Sequence, residues 1–449
     1  LYWGGMKYCL LSVAALLAAH LIAATAVKTV HPTRDLVVAE RVLAPAADPR
    51  ADYSATLQGA LDAVGKLGGG TVFLPAGHYT LAKPVELPVG VTLRGDFCRE
   101  EPAKGTVLRI VGGRGDEEGP AAFTEQPGSA LIGLVFWYPE QDLADPKPYP
   151  WTIRTTRRAK VANDGQAVFD CVLVNAWRGI AIGPEWNELH TFRNVRICAL
   201  KTGFAVDSVT DIGRVSECAV SPSVWAASGF PGAPAAGVLA DWLRARETVG
   251  ADYGRSDWEF IWRLRVEGYR TGGRFRKGAR GLTNAVMADC DVRDCGVALD
   301  AVALNGVGLA VYDCRLAGAE ASGRLAEKLD AVVQFHHCEI AGQAPEKDDR
   351  SIVVKGEGMP VKAETAPFRA PAVRDLFDVA AFGASPSLDD NAGAFRKALD
   401  AAAAKGGTVY VPAGYYRFKG NLRVPAGVEL RGCTDAPHHT CSGGSVLMP

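Results

Sequence analysis

A cysteine returns at a fixed interval through the centre of the chain, and that interval narrows the possible folds more than any other feature. Aligning "DCDV" at 289, "DCRL" at 313 and "HCEI" at 337 sets Cys290, Cys314 and Cys338 twenty-four residues apart. "DCVLV" at 170, "ICAL" at 197 and "ECAV" at 217 carry the same succession of any residue, cysteine, any residue, aliphatic residue. Neighbouring side chains of a strand point to opposite faces, so the cysteine and the aliphatic residue two places on share one face. Short strands returning with such a period describe a solenoid, in which each coil buries its apolar side against the next. The cysteines then stack inward as small buried hydrophobes. No second Cys or His stands at ligand spacing within each coil, so no metal centre is expected. Cys433 and Cys441, eight residues apart and outside this ladder, are the pair expected to form a disulfide if the chain is exported.

A second feature is a duplication. "GGTVFLPAGHYTL" at 69–81 returns as "GGTVYVPAGYYRF" at 406–418, with eight of thirteen positions identical and no gap. Upstream, "TLQGALDAVGKLGGG" parallels "AFRKALDAAAAKGG"; downstream, "VELPVGVTLRGD" parallels "LRVPAGVELRGC". Each copy therefore orders an amphipathic helix, a glycine turn, a strand, a Pro-Ala-Gly turn and further short strands. Leu57, Leu61 and Val64 recur at i, i+4 and i+7 on one helix face, and Gly68, Gly69 and Gly70 end that helix. Pro75 with Gly77, and Pro88 with Gly90, supply the tight turns between strands.

Composition sets the class. Across 449 residues, 48% are hydrophobic and 22% charged, which suits a large buried core and excludes a disordered chain. Lys and Arg number 49 against 50 Asp and Glu, so no basic field gathers phosphate backbones and nucleic acid is not an expected partner. Fifty glycines and 26 prolines favour a turn-rich β architecture. From Met6, "MKYCLLSVAALLAAHLIAATA" reads as a signal peptide: Lys7, an apolar run, then Ala24 and Ala26 in the arrangement that signal peptidase cleaves. The other reading is a membrane anchor, which the alanine-rich run and His20 disfavour. A secreted or periplasmic protein beginning at Val27 is expected, with no membrane attachment in its mature form.

The helix followed by "GGGTVFLPAGHYTL…LPVGVTLRG" resembles the opening of the pectate-lyase-like superfamily of right-handed parallel β-helix proteins. Two such openings in one chain resemble glycoside hydrolase family 55, β-1,3-glucanases built from two β-helices. The resemblance implies an all-β fold in which each copy begins a β-helix, its helix capping the end where strand edges would lie open. It divides the chain into residues 1–26, a first β-helix over 27–345 with an insertion at about 222–281, a linker over 346–375, and the beginning of a second, truncated module over 376–449. Within the insertion, Val238, Leu239, Trp242 and Leu243 read as one helix face. Phe260, Trp262, Leu264 and Val266 read as one strand face.

The resemblance further implies a glycoside hydrolase acting on polysaccharide, monomeric and without cofactor. Its site would lie between the two helices, with a general acid from the second that no residue here matches. Hydrolysis of a glycosidic bond needs two carboxyl groups, and sugar binding favours exposed aromatic faces. "FWYPEQDLADPKPYPW" joins Trp137, Tyr138, Tyr149 and Trp151 to Glu140 and Asp142, and "GPEWNELHTF" joins Glu185, Trp186, Glu188 and His190. Glu185, Glu188 and Glu140 are thus the expected catalytic carboxylates, and Trp137, Tyr138, Trp151 and Trp186 the expected substrate contacts. The alternative for the first stretch is a loop packing its aromatics on the coil; for the second, a solvated turn. Asp289 and Asp291 share an outward face where a hard cation could sit as in pectate lyases, but Asp170 and Asp313 recur at the same coil position, which favours an architectural role. The ordered motifs of polygalacturonases are absent. A non-catalytic polysaccharide-binding or structural β-helix, and a polysaccharide lyase, remain as alternatives.

Overall fold

A computed structural model describes residues 23–31, 33, 35–156, 164–342, 351–354, 375–436 and 443–449. The period read from the cysteines is the coil of a parallel β-helix, the all-β solenoid expected. Twelve short strands stack in one parallel sheet, here face A, from Arg41–Val42 and Gly70–Leu74 through Thr191–Arg193 and Glu259–Trp262 to Ser351–Val354. Each but the two at the ends pairs with the strand one coil before and one coil after. Past a corner the chain enters face B, where 172–173 pairs with 196–197, then bends within the same long strand into face C, where 178–182 pairs with 202–206. Parallel strands joined by such crossovers take the right-handed form.

The corner between faces A and B explains the cysteine pattern. Asp170, Asn194, Glu217, Arg263, Asp289, Asp313 and His337 occupy it with φ between 51 and 54°. Asn and Asp tolerate this left-handed conformation best among residues with a side chain, which is why the position so often reads Asp or Asn. The next residue turns into the core: Cys171, Val195, Cys218, Leu264, Cys290 and Cys314 are all buried, and Cys338 is half-buried. Each thiol donates to the carbonyl two residues back, as in Cys171 Sγ to Phe169 O at 3.3 Å and Cys314 Sγ to Tyr312 O at 3.2 Å. Cys198 belongs to a different row, because Ile197 is the residue in register with Leu173 and Val220. Cys433 is a buried free thiol, and Cys441 lies outside the described residues.

The capping helix Ser54–Gly65 buries Leu57, Leu61 and Val64 completely over the open end of the core. It ends in three glycines of positive φ, and a Cβ on Gly70 would fall within 3.0 Å of Glu40 Oε2. In the second copy the helix Ala392–Ala403 buries Phe395, Leu399 and Ala402 against the parallel strands Asp375–Asp378, Gly407–Tyr410 and Val428–Arg431. This module packs on the first coils. Gly444 N donates to Gly68 O at 3.0 Å, Arg431 Nη1 donates to Leu36 O at 2.7 Å, and the buried Tyr410 hydroxyl donates to Glu40. Ala436 packs with Ile132 and Phe169, two outward residues of face A.

Three details depart from the expectations. The extra length of one coil lies between Val220 and Val249, where Leu239 and Leu243 of the helix Ala236–Arg244 are buried but Val238 is 60% exposed. Phe260 and Trp262 do not share a face with Leu264 and Val266, because the corner at Arg263 interrupts the alternation: the first pair points out and the second in. Ser351–Val354, expected in the linker, is the last strand of face A. Residues 1–22 lie outside the described residues, whereas Thr25–Val27 pairs antiparallel with Val37–Ala39. No helix among the described residues is long and apolar enough to cross a membrane.

Candidate functional site

The aromatic residues expected to meet substrate have their faces taken. Tyr138 is buried, its hydroxyl 2.7 Å from Thr152 Oγ1, so it is a core residue and offers no platform. Trp137 is 9% exposed and stacks on Phe230 at 4.6 Å, with the Arg109 guanidinium 5.6 Å from its ring centre. It does line a cavity of about 570 Å³ with His78, Arg109 and Phe230. Trp151 lies under Arg178 at 4.9 Å. Trp186 is 37% exposed, but Arg255 and Arg280 lie 4.7 and 4.8 Å from its ring centre. The first stretch thus follows the alternative reading, a loop packing its aromatics on the coil.

Glu140 lies on a different loop from Glu185 and Glu188. Glu140 is exposed and pairs with Arg114 at 3.5 Å. Glu188 accepts from Thr210 Oγ1 at 2.7 Å. Glu185 follows the turn at Pro184, and its Oε2 is buried without a hydrogen-bond partner. Beside this turn, His190 is fully buried with Nε2 3.2 Å from Glu259 Oε1, while Ser256 Oγ donates to Glu259 Oε2 at 2.6 Å. All three groups lie inside the coil, out of reach of a polymer. The cation reading of Asp289 and Asp291 also gives way: Arg263 pairs with Asp289 at 2.7 Å and Arg293 with Asp291 at 3.6 Å. Among the described residues no group of three or more His, Cys, Asp or Glu is placed to hold a metal ion.

The concave surface lies instead along the corner between faces A and B. Three cavities of about 510, 430 and 750 Å³ run into one another there. The first two share Asp35, Arg94 and Asp170; the second and third share Arg99, Glu100 and Asn194. The groove starts at the seam with the second module, where Asp435 forms part of the wall, and extends to Arg293. Its floor is the stack of corner residues. Asn194 Nδ2 donates to Asp170 Oδ1 at 2.6 Å, and Arg263 bridges Asp289 at 2.7 Å and Glu217 at 3.9 Å.

Electrostatics differ along the groove. At the seam, burial opposes the charge of Asp35, but hydrogen bonding and attraction from Arg94, with Arg431 behind, hold its carboxyl below the usual range. Farther along, burial and the neighbouring Arg99 guanidinium press the Arg196 pKa down. Glu217 and Asp289 occupy corners two coils apart, which at about 4.8 Å per strand sets their backbones about 10 Å from each other. Arg263, at the corner between them, pairs with both carboxylates.

Beside the groove, face A presents aromatic side chains outward. Phe260 is 42%, Trp262 39% and Tyr312 37% exposed. Trp262, Ala288 and Tyr312 are in register on successive strands, with the small Ala288 between the two rings; one face of Trp262 carries the Arg263 guanidinium at 4.3 Å and Tyr312 stacks on His336 at 4.6 Å, so each ring keeps only its remaining surface exposed. The sequence reading put Phe260 and Trp262 on one strand face with Leu264 and Val266 because it ran their alternation through the corner. The left-handed residue before each inward position was the available signal, and Arg263 disguised it by being neither Asp nor Asn.

No protein-family model matches the chain, and no curated protein sequence matches it significantly. Solved structures do. A mutant tailspike protein of E. coli bacteriophage HK620, in complex with a pentasaccharide, is 11% identical with a TM-score of 0.37, over 68% of this chain and 63% of that one. A tailspike from Acinetobacter baumannii bacteriophage Fri1, a capsular polysaccharide depolymerase, is 12% identical with a TM-score of 0.36, over 66% and 57%. The A-module of a mannuronan C-5 epimerase from Azotobacter vinelandii is 15% identical with a TM-score of 0.32, over 65% and 80%. The chain thus spans 63% and 57% of the two tailspikes it is similar to.

Proposed function

We propose that the protein is carbohydrate-active and lays an extended polysaccharide along the corner groove, with Trp262 and Tyr312 at its rim. One observation supports this reading above the rest: the concavity is continuous across successive coils, from Asp35 at the seam to Arg293. An extended polymer needs an extended site, and stacked coils supply one concave surface along their length. Exposed rings beside the groove add apolar surface for sugar faces.

The finer proposal is hydrolysis, β-1,3-glucanase-like by the resemblance of the duplicated segment. Glu217 and Asp289 are our first choice for the reacting carboxylates. Glu185, Glu188 and Glu140 are the second, and Glu185 leads them because its buried Oε2 has no partner. A binding protein without catalysis is the other reading, and Arg263 favours it by pairing with both Glu217 and Asp289. Reducing-sugar release from laminarin, measured with Glu217→Gln, Asp289→Asn, Glu185→Gln and Glu188→Gln, separates the two. Loss of release with either of the first two assigns catalysis to the groove. Loss confined to Glu185→Gln or Glu188→Gln moves it to the other side of the coil. Retardation in gels containing laminarin tests binding itself, and Trp262→Ala is expected to weaken it about tenfold, the equivalent of about 1.4 kcal/mol. Unchanged retardation overturns the groove assignment. Export with cleavage after Ala26 belongs to the same proposal; mass spectrometry of the secreted protein checks it, and a mature chain retaining Met6 refutes it.

A further inference from the structure

We infer that the widest part of the groove holds an oxyanion substituent of the bound saccharide, a carboxylate or a sulfate, between Arg196 and Arg265. This deepens the groove reading and rests on it. On face B, Arg196, Ala219, Arg265 and Asp291 stand in register on successive strands, all pointing outward into the cavity of about 750 Å³. Ala219 is the small member. It leaves a notch whose two walls are guanidiniums about 10 Å apart at the backbone, two strand spacings.

The charges in this cavity are unevenly committed. Glu217 and Asp289 are held by Arg263, and Asp291 by Arg293. Glu267 takes a 2.5 Å hydrogen bond from Ser221 Oγ and pairs with Arg293 at 3.3 Å. Among the described residues, Arg196 and Arg265 make no ion pair within 4.0 Å, although Asp291 is the next residue along the row from Arg265. Arg99 also faces the notch, with Glu100 as the nearby carboxylate that acts on Arg196. Five arginines and five carboxylates line the cavity, but among the described residues Arg99, Arg196 and Arg265 make no ion pair, so theirs are the donors open to a bound anion. A guanidinium presents a planar fork of donors that matches the two oxygens of a carboxylate or sulfate. Neutral sugars carry no charge to match such forks.

The test is affinity electrophoresis of the full chain in gels containing laminarin, polygalacturonate or dextran sulfate, with Arg196→Ala, Arg265→Ala, Trp262→Ala and, as control, the exposed Arg423→Ala. Circular dichroism confirms that each variant is folded. The inference expects one or both acidic polymers to retard the protein more than laminarin does. Each groove arginine variant should lose about tenfold in affinity for that polymer, the equivalent of one charged hydrogen bond. Arg423→Ala should lose nothing. Preference for polygalacturonate identifies a carboxylate, and preference for dextran sulfate a sulfate. Retardation by laminarin alone, reduced by Trp262→Ala and untouched by the arginine variants, overturns the anion notch and leaves the groove reading standing. Arginine-dependent binding of acidic polymer, indifferent to Trp262→Ala, leaves the notch and removes the aromatic rim. Equal effects of Arg423→Ala and the groove variants mean unspecific charge attraction and overturn the inference.

Discussion

Gly213→Ala adds a single methyl group to the interior, and its cost can be worked from the structure. A Cβ at Gly213 would lie closer than 3.0 Å to both Glu259 Oε2 and His190 Cε1. Neither group can swing away freely. His190 and Glu259 are fully buried, they face each other at 3.2 Å, and Ser256 pins the other carboxylate oxygen at 2.6 Å. Forcing extra volume into a packed core costs about 1–3 kcal/mol. Parting the pair leaves a buried acceptor without its donor, about 1–3 kcal/mol more. Together we expect about 3 kcal/mol, which for a unit of this size lowers Tm by about 3–5 °C. Thermal unfolding followed by circular dichroism measures the shift. The cycle with Glu259→Ala supplies the control, because removing that side chain takes away one of the two clashes and opens space into which His190 can shift. Gly213→Ala should cost far less in that background, and the difference is the coupling between the sites. A shift below about 1 °C in the single variant refutes the argument. So does a cost that persists undiminished when Glu259 is gone.

Two further predictions concern the seam and the ladder. Burial raises the Glu40 carboxyl pKa, and the hydrogen bonds from Tyr410 and Thr71 offset this only in part. A raised folded pKa means that its contribution to stability is complete below the unfolded value near 4.3 and is lost as pH rises through the folded value. Asp35 acts in the opposite sense: its folded pKa is lowered, so its contribution is present above about 3.9 and is lost as pH falls through the folded value. Glu40→Gln should therefore flatten the fall in stability on the high-pH side, seen in urea titrations at a series of pH values, and an unaltered profile would remove Glu40 from the seam. Burial pushes the Cys218 thiol up to about 12 and the Cys198 thiol likewise to about 12, whereas Cys98 is half-exposed. Thiol labelling of the folded protein, read by peptide mapping, should modify Cys98 first and reach Cys218, Cys290 and Cys314 only on unfolding; rapid labelling of Cys290 and Cys314 without denaturant would sink the inward ladder.

The coil was legible because its period is written in residues with one physical role each. A left-handed corner admits Asp and Asn readily, and the inward place after it admits only a small or medium apolar side chain, so "DC" marks a corner wherever both demands are met. The reading weakened where the same geometry was filled by other types. Asn194 before Val195 and Arg263 before Leu264 are corners of the same kind. Missing the first shifted Cys198 into the wrong row, and missing the second set Trp262 on one face with Leu264. Capping helices were legible for a similar reason: a face of Leu57, Leu61 and Val64 has no use except burial.

The site was harder to read because its parts are dispersed. Arg196, Glu217, Arg265 and Asp289 come from four coils, and no stretch of sequence holds more than a fragment of the groove. Sequence reasoning looked for carboxylates and aromatics close together along the chain, and such neighbours are usually turned to opposite faces or packed on each other, as Tyr138 and Tyr149 are at 4.8 Å. In a solenoid the meaningful neighbour of residue i is the one a coil away, near i+24, not i+2. Reading each outward position at that interval gathers Asp170 with Asn194, and Asp289 with Asp313. Chemistry in this fold is therefore specified down the stack of coils, and a substitution at one corner should be judged by the corners directly above and below it before its sequence neighbours.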